Sequence, residues 1–345
     1  MNLAISNHPD SRPGSGNVPG HLMTVAAAAR IIQSGRGVSI AGDEAALRQL
    51  PKGFWIGGTI PYFMSEDGGL CSRELVFVNE LPAASGAPDL CTYDERSIEG
   101  VCNDAPDNGF TVLIVPAFSE VHQRFAKNAP EFDNMYLQPL VGWVAGIHLD
   151  DLSSDKVSPK VVFGPTGEFH DNLAVAMHVA IDGDKAAGIE IINLFQPGNG
   201  PVIRFPESGL SATEVDIDGV STNLANYLHS SGADTRLPLV ADYCGAYINV
   251  SFQNVNATTG EVTFYAPVYA GQAYRLAGAI PPYAEAFAQQ VPHDDGEIAF
   301  CCNCILNYLY GELEGKKTDR MHGPITFGEI AYQLVNQTMV YLRVS

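Results

Sequence analysis

Glu329 stands in an otherwise uncharged stretch, ITFGEIAYQLVNQ, residues 325–337. A carboxylate among apolar neighbours must be hydrogen-bonded or paired, because an unpartnered buried charge is costly. It can anchor the amino group of a ligand, cap a short turn, or pair with Arg204 or Arg275. Asn336 and Thr338 offer an amide and a hydroxyl close by, and these serve equally well to tie a strand to a turn. Near the other end, WIGGT (residues 55–59) places Gly57, Gly58 and Thr59 in what reads as a turn. Its converging N–H groups can hold a carboxylate. It is no phosphate loop, since it lacks the Lys-Ser/Thr ending and a following helix. Trp55, Tyr62, Phe63, Tyr308, Tyr310 and Phe327 lie close to these motifs and can wall a pocket or fill a core.

Two other groups invite chemistry. Cys301, Cys302 and Cys304 fall within four positions, yet three thiols so spaced cannot all face one ion. A zinc site also needs paired Cys-x-x-Cys elements or a histidine at motif spacing, which His293 and His322 do not provide. Buried apolar thiols are the simpler reading, with Cys302 or Cys304 able to border a pocket beside Asn303 and Asn307. His148, His170 and His178, with Asp150 and Asp171, are the remaining metal candidates. They read more simply as loop and strand histidines, so no metal and no cofactor is expected. Phosphate-loop, dinucleotide, nucleophile-elbow and EF-hand signatures are absent from the sequence.

The elements that must position these residues are short and strand-rich. Met23–Ser34 is Ala-rich with helical spacing, and Asp43 is placed to cap a second helix running to Leu50. Ser119–Asn128 reads as an exposed helix with Val121 and Phe125 facing inward. Phe110–Val115, Val161–Phe163, Asn172–Ile181 and Ile189–Phe195 read as strands, with Asp182-Gly183 as a hairpin turn between the last two. Later come Tyr247–Phe252 and Glu261–Tyr265 around a Thr259-Gly260 turn, then Glu297–Cys301 and Thr338–Val344. Residues 1–20, rich in Pro, Gly, Ser and Asn, read as a mobile leader. The pattern predicts an α+β fold of mostly antiparallel, twisted sheets flanked by helices.

The 345-residue chain carries 39 acidic against 19 basic side chains, a net charge of −20. Such a surface repels phosphate backbones and anionic lipid, which disfavours nucleic acid and membranes as partners. No apolar run approaches the ~18 residues of a membrane span. Seven cysteines without scaffold spacing, and no secretory signal, point to the cytoplasm.

Four stretches give the chain a resemblance to a known family. WIGGTIPYF (55–63) precedes an acidic Gly loop. The segment 172–195 leads into GPVIRFPESGLSATEVDIDGVSTNLANYL (200–228). AYINVSFQNVNATTGEVTFYAPVYAGQAYRL (246–276) reads as a hairpin and a further strand. FGEI (327–330) and NQT (336–338) close the chain. In this order they resemble the FIST domain, a bacterial and archaeal sensory module that binds small ligands. The resemblance spans roughly residues 50–345, with residues 80–160 outside its motifs. It implies an N-terminal half over 21–235, a C-terminal half over 236–345, and a ligand crevice between them. Gly58, Thr59, Glu329 and Asn336 would supply polar contacts there, and Tyr62 and Phe327 the walls. The implied activity is non-catalytic binding of a small polar metabolite such as an amino acid, read out by a homodimer or a separate signalling partner. A small-molecule hydrolase or thiol enzyme using Cys302, and a scaffold without a pocket, are the alternatives.

Overall fold

The computed structural model describes residues 19–81, 86–154, 156–243, 245–291 and 297–345. Nearly all of the expected leader, and with it Cys244 and His293, lies outside these residues.

Alternation along the strands sets the layers. Every residue of Gly109–Pro116 is buried. Val112 and Ile114 join one hydrophobic cluster while Leu113 and Val115 join another, as in a strand covered on both faces. The sheet containing it runs Gln333–Val335, Glu329–Ala331, Leu140–Ala145, Gly109–Pro116, Ala174–Ala180, Asp89–Tyr93. Its outer face is covered by Val121 and Phe125 of the helix Glu120–Asn128 and by Ile98 and Val101. Its inner face packs on a second sheet, ordered His21–Thr24, Leu75–Glu80, Val38–Gly42, Trp55–Thr59, Val161–Phe163, Glu168–His170. The far face of that sheet is closed by Ala28 and Ile32 of the helix Val25–Gln33 and by Leu47 of the helix Glu44–Leu47. The result is helix, sheet, sheet, helix. A third sheet, Ala187–Ile192, Met339–Val344, Glu297–Cys304, Gly323–Thr326, Tyr62–Ser65, Gly68–Cys71, adds Phe300, Cys302, Val340 and Leu342 to the shared core. Most pairings are antiparallel, and the architecture is α+β as the sequence predicts. Parallel pairing joins Val38–Gly42 to Trp55–Thr59, Gly109–Pro116 to Leu140–Ala145, and Glu297–Cys304 to Gly323–Thr326.

Between Ala187–Ile192 and Glu297–Cys304 the chain builds a module with its own core of Phe205, Leu224, Leu228, Phe252, Phe264 and Tyr274. Residue 235 falls inside it. Glu214–Ile217 and Ile203–Arg204, before that point, share a six-stranded sheet with Leu239–Tyr243, Ala246–Val250 and Ala273–Leu276, after it. The chain's last strands thread back into the sheets of its first half: Gly323–Thr326 pairs with Tyr62–Ser65, and Glu329–Ala331 with Leu140–Ala145.

Two local expectations fail for physical reasons. Gly57 and Gly58 are not in a turn: both lie in the strand Trp55–Thr59, paired on each side, and neither has a positive φ. Gly58 is glycine because the facing sheets meet there, and a Cβ would lie 2.7 Å from Ile114 Cγ2 and from Trp143 Cη2. Asp182-Gly183 does not close a hairpin. Ala174–Ala180 and Ala187–Ile192 pair with different partners, in different sheets. No helix among the described residues is long and apolar enough to cross a membrane.

Candidate functional site

The strand Val38–Gly42 runs straight into Asp43, whose carboxylate caps the next helix by accepting from Ala45 N at 3.0 Å. Its parallel neighbour ends at Thr59, and in the facing sheet Leu140–Ala145 ends before Gly146. These carboxyl ends are locked together. Gly146 N donates to Thr59 O at 2.7 Å, and Thr59 Oγ1 donates to Gly146 O at 2.8 Å. Beside this joint opens a crevice of about 310 Å³, lined among others by Asp43, Thr59, Ile60, Arg73, His148 and Asp151. Carboxyl ends of parallel strands are where open α/β sheets place ligands, because the chain leaves the sheet there and a gap forms.

The crevice carries both signs of charge. The Arg73 guanidinium lies 2.8 Å from Asp151 and 3.5 Å from Asp43, and its side chain is 46% exposed. Glu44 accepts from Lys160 Nζ at 2.7 Å and pairs with Arg48. Burial alone would raise the Glu44 pKa, but Lys160 and Arg48 outweigh it and hold the carboxyl below its ordinary value. The His148 ring packs on Tyr62 with centroids 5.5 Å apart, and the Tyr62 hydroxyl accepts from Leu149 N at 3.1 Å. Ile60, Ile147 and Val157 supply the apolar lining.

The six residues singled out in the sequence therefore separate. Thr59 lines the crevice and Tyr62 supports its wall through His148. Gly58 is one residue behind, inside the sheet sandwich. Phe327 packs against Gly146 from another side, its ring 6.3 Å from Phe118. Glu329 and Asn336 are not at the crevice; they belong to a sealed polar cluster. Glu329 is fully buried, and its Oε2 accepts from Thr338 Oγ1 at 2.7 Å and Thr338 N at 3.3 Å. Its expected ion pairs do not form: Arg204 and Arg275 donate to the carbonyls of Gly271 and Gly200. Burial pushes the Glu329 carboxyl up to about 8, against the opposing pull of the Thr338 donors. Asn307 Nδ2 bridges Asn303 Oδ1 at 3.0 Å and Thr338 O at 3.2 Å, and Asn336 Oδ1 accepts from Ser251 Oγ at 2.5 Å. Among the described residues, Glu329 Oε1, Asn303 Nδ2, Asn307 Oδ1 and Asn336 Nδ2 have no hydrogen-bond partner.

Cys301, Cys302 and Cys304 are buried strand residues. Cys302 Sγ donates to Gly142 O at 3.4 Å, and burial, followed by the nearby Glu329, pushes its thiol well up. A thiol so held is a poor nucleophile. The histidines do not converge either. His148 is at the crevice, His170 lies beside Glu168 at 4.0 Å, and His178 is in the other sheet. Arg73, Asp43 and Asp151 escaped notice as site residues. The available signal was Asp43, a helix cap directly after a buried strand, which marks a strand-to-helix exit.

Comparison with known proteins places the chain in a family. The family model of DUF6976, a family of unknown function, covers residues 23–345, and the chain belongs to that family. No curated protein matches the sequence.

Proposed function

We propose that the protein is a cytoplasmic, small-ligand-binding sensory protein whose crevice takes a zwitterionic polar metabolite of amino-acid size. The observation that carries this reading is Arg73 held between Asp43 and Asp151 at the carboxyl ends of the strands. A ligand carboxylate replaces the acidic partners on Arg73, and its ammonium replaces the guanidinium on Asp43 and Asp151. The exchange costs little, because exposed ion pairs are worth only about 0–1 kcal/mol. The volume of about 310 Å³ suits a ligand of this size. The FIST-like order of motifs points the same way. All six described cysteines are free, in keeping with a reducing compartment. Binding would be read by a homodimer or a separate signalling partner.

A thermal-shift series with amino acids and related zwitterions tests the proposal. A true ligand stabilises the wild type by RT ln(1 + [L]/Kd), about 2.7 kcal/mol at a hundredfold excess over Kd. The shift should vanish in Arg73→Ala and persist in Glu329→Gln. A hit that shifts Arg73→Ala as much as wild type would place its binding elsewhere and sink the reading.

A further inference from the structure

The part of the chain that matched no motif, residues 80–160, contributes to a second set of reactive side chains, far along the sheet from the crevice. Cys91 and Tyr93 are two apart on the strand Asp89–Tyr93 and so share a face. His178 lies on the neighbouring strand, and Thr111 is directly opposite it on the next. Asp104 comes from the loop after the short turn Ser97–Gly100. The ligating atoms of Cys91, Asp104 and His178 all lie within 4.8 Å of one another. The Tyr93 hydroxyl sits among them, 2.7 Å from Asp104 Oδ2 and 2.9 Å from His178 Nε2. On the other side of the ring, His178 Nδ1 is 2.8 Å from Thr111 Oγ1.

We propose that Cys91, Asp104 and His178, with the Tyr93 oxygen as fourth donor, bind one zinc-class divalent cation. The donor set is one sulfur, one nitrogen and two oxygens. That mixture suits a borderline ion, whereas magnesium and calcium want oxygen throughout. Ligand atoms around a tetrahedral zinc stand roughly 3.3–3.6 Å apart, so Cys91, Asp104 and His178 draw together slightly from within 4.8 Å while the Tyr93 oxygen moves back from its 2.7 and 2.9 Å contacts with Asp104 and His178. Thr111 fixes the imidazole from behind and aims Nε2 into the cluster, the role an outer hydrogen-bond partner plays for a metal-bound histidine. His178 is 3% exposed, Cys91 is half-buried and Asp104 is exposed, so the ion enters past Asp104. On binding, the Cys91 thiol loses its proton to solvent, Asp104 binds ionised, and Tyr93 keeps its proton and directs it to the free oxygen of Asp104. Without metal, the same groups form a hydrogen-bonded chain, Thr111–His178–Tyr93–Asp104, that needs no thiolate.

Cobalt(II) titration of the full-length, chelator-stripped chain separates these two states of affairs. The expected result is one equivalent bound, with tetrahedral d–d bands and a thiolate-to-cobalt charge-transfer band, all displaced by zinc. Cys91→Ser should abolish the charge-transfer band while leaving the circular dichroism unchanged, and Asp104→Asn should weaken cobalt binding at least tenfold. His178→Gln should do the same; because His178 is buried, the two partly exposed positions keep the test decisive if that variant does not fold. Arg73→Ala should leave the cobalt spectrum intact, which makes this outcome independent of the crevice. Binding without a thiolate band, or a band that survives Cys91→Ser, overturns the proposal, as does the absence of stoichiometric binding.

Discussion

The crevice and the Glu329 cluster hold acidic groups under opposite conditions. At the crevice, Asp43, Asp151 and Glu44 each face a guanidinium or ammonium group and remain within reach of water. In the cluster, Glu329 is met by neutral donors, Thr338 N and Oγ1 with Cys304 and Thr326 beside them, and is sealed from solvent. A charge is affordable in the first setting and costly in the second, because desolvation is offset only by a countercharge or a full set of hydrogen bonds. The crevice can therefore exchange its partners for a charged ligand, whereas the cluster keeps a protonated acid and fastens the closing strand. An isolated acid in an apolar sequence run marks structure here, and a crowd of mutually paired charges lines the candidate crevice.

The largest test of that contrast is Glu329→Ala. It strands two Thr338 donors and opens a buried void, and should cost about 2–4 kcal/mol in urea unfolding. Glu329→Gln, which mimics the neutral acid, should recover most of it at pH 5. An alanine variant as stable as wild type would break the comparison.

The pH dependence should follow with the opposite sign to a salt-bridged acid. The folded pKa of Glu329 is about 8, against an ordinary value of 4.5. Between those two values the folded state holds a proton that the unfolded state has lost. This contribution to stability is fully present below pH 4.5 and is lost as pH rises through 8. Its full span is on the order of a few kcal/mol. Glu329→Gln should flatten this part of the stability-pH curve and unfold at a higher temperature than wild type at pH 9. Parallel curves for the two proteins would show that Glu329 ionises freely.

A smaller effect is expected behind the crevice. Gly58→Val drives a side chain into Ile114 and Trp143, and overpacking of this kind costs about 1–3 kcal/mol. It should also displace Thr59 and weaken ligand-induced stabilisation. The smallest change in stability is expected at Arg73. Arg73→Ala should move the unfolding midpoint by no more than about 0.5 kcal/mol, since its ion pairs are exposed, yet remove the ligand shift. A large loss of stability there would make Arg73 a structural residue and remove the contrast from that side.

Local physics was legible in the chain. Asp43 caps the helix it precedes, accepting from Ala45 N. Val121 and Phe125 face the core from one helix face. The Thr259-Gly260 turn does close a hairpin, with Gly260 at positive φ, but its first strand is Phe252–Val255, and the expected strand before it, Ala246–Val250, pairs instead with Leu239–Tyr243. That Glu329 would need hydrogen-bond partners was also foreseeable from its apolar run, and it is fully buried against the Thr338 donors. Gly57-Gly58 misled, because a glycine pair serves a turn and a close sheet contact equally well, and only the presence of Trp143 and Ile114 across the gap decides which.

The sequence by itself determined most of the helices and many of the strands, that the fold is α+β, and that Glu329 needs partners; these depend on neighbours a few residues apart. Tertiary structure alone decided which strands pair, that the last strands complete the sheets of the first half, and that Asp43, Arg73, His148 and Asp151 meet at one crevice. Those contacts reach across most of the chain, Gly323 pairing with Met64 and Glu329 with Trp143, and one chain's side-chain pattern states which face is buried without stating what buries it.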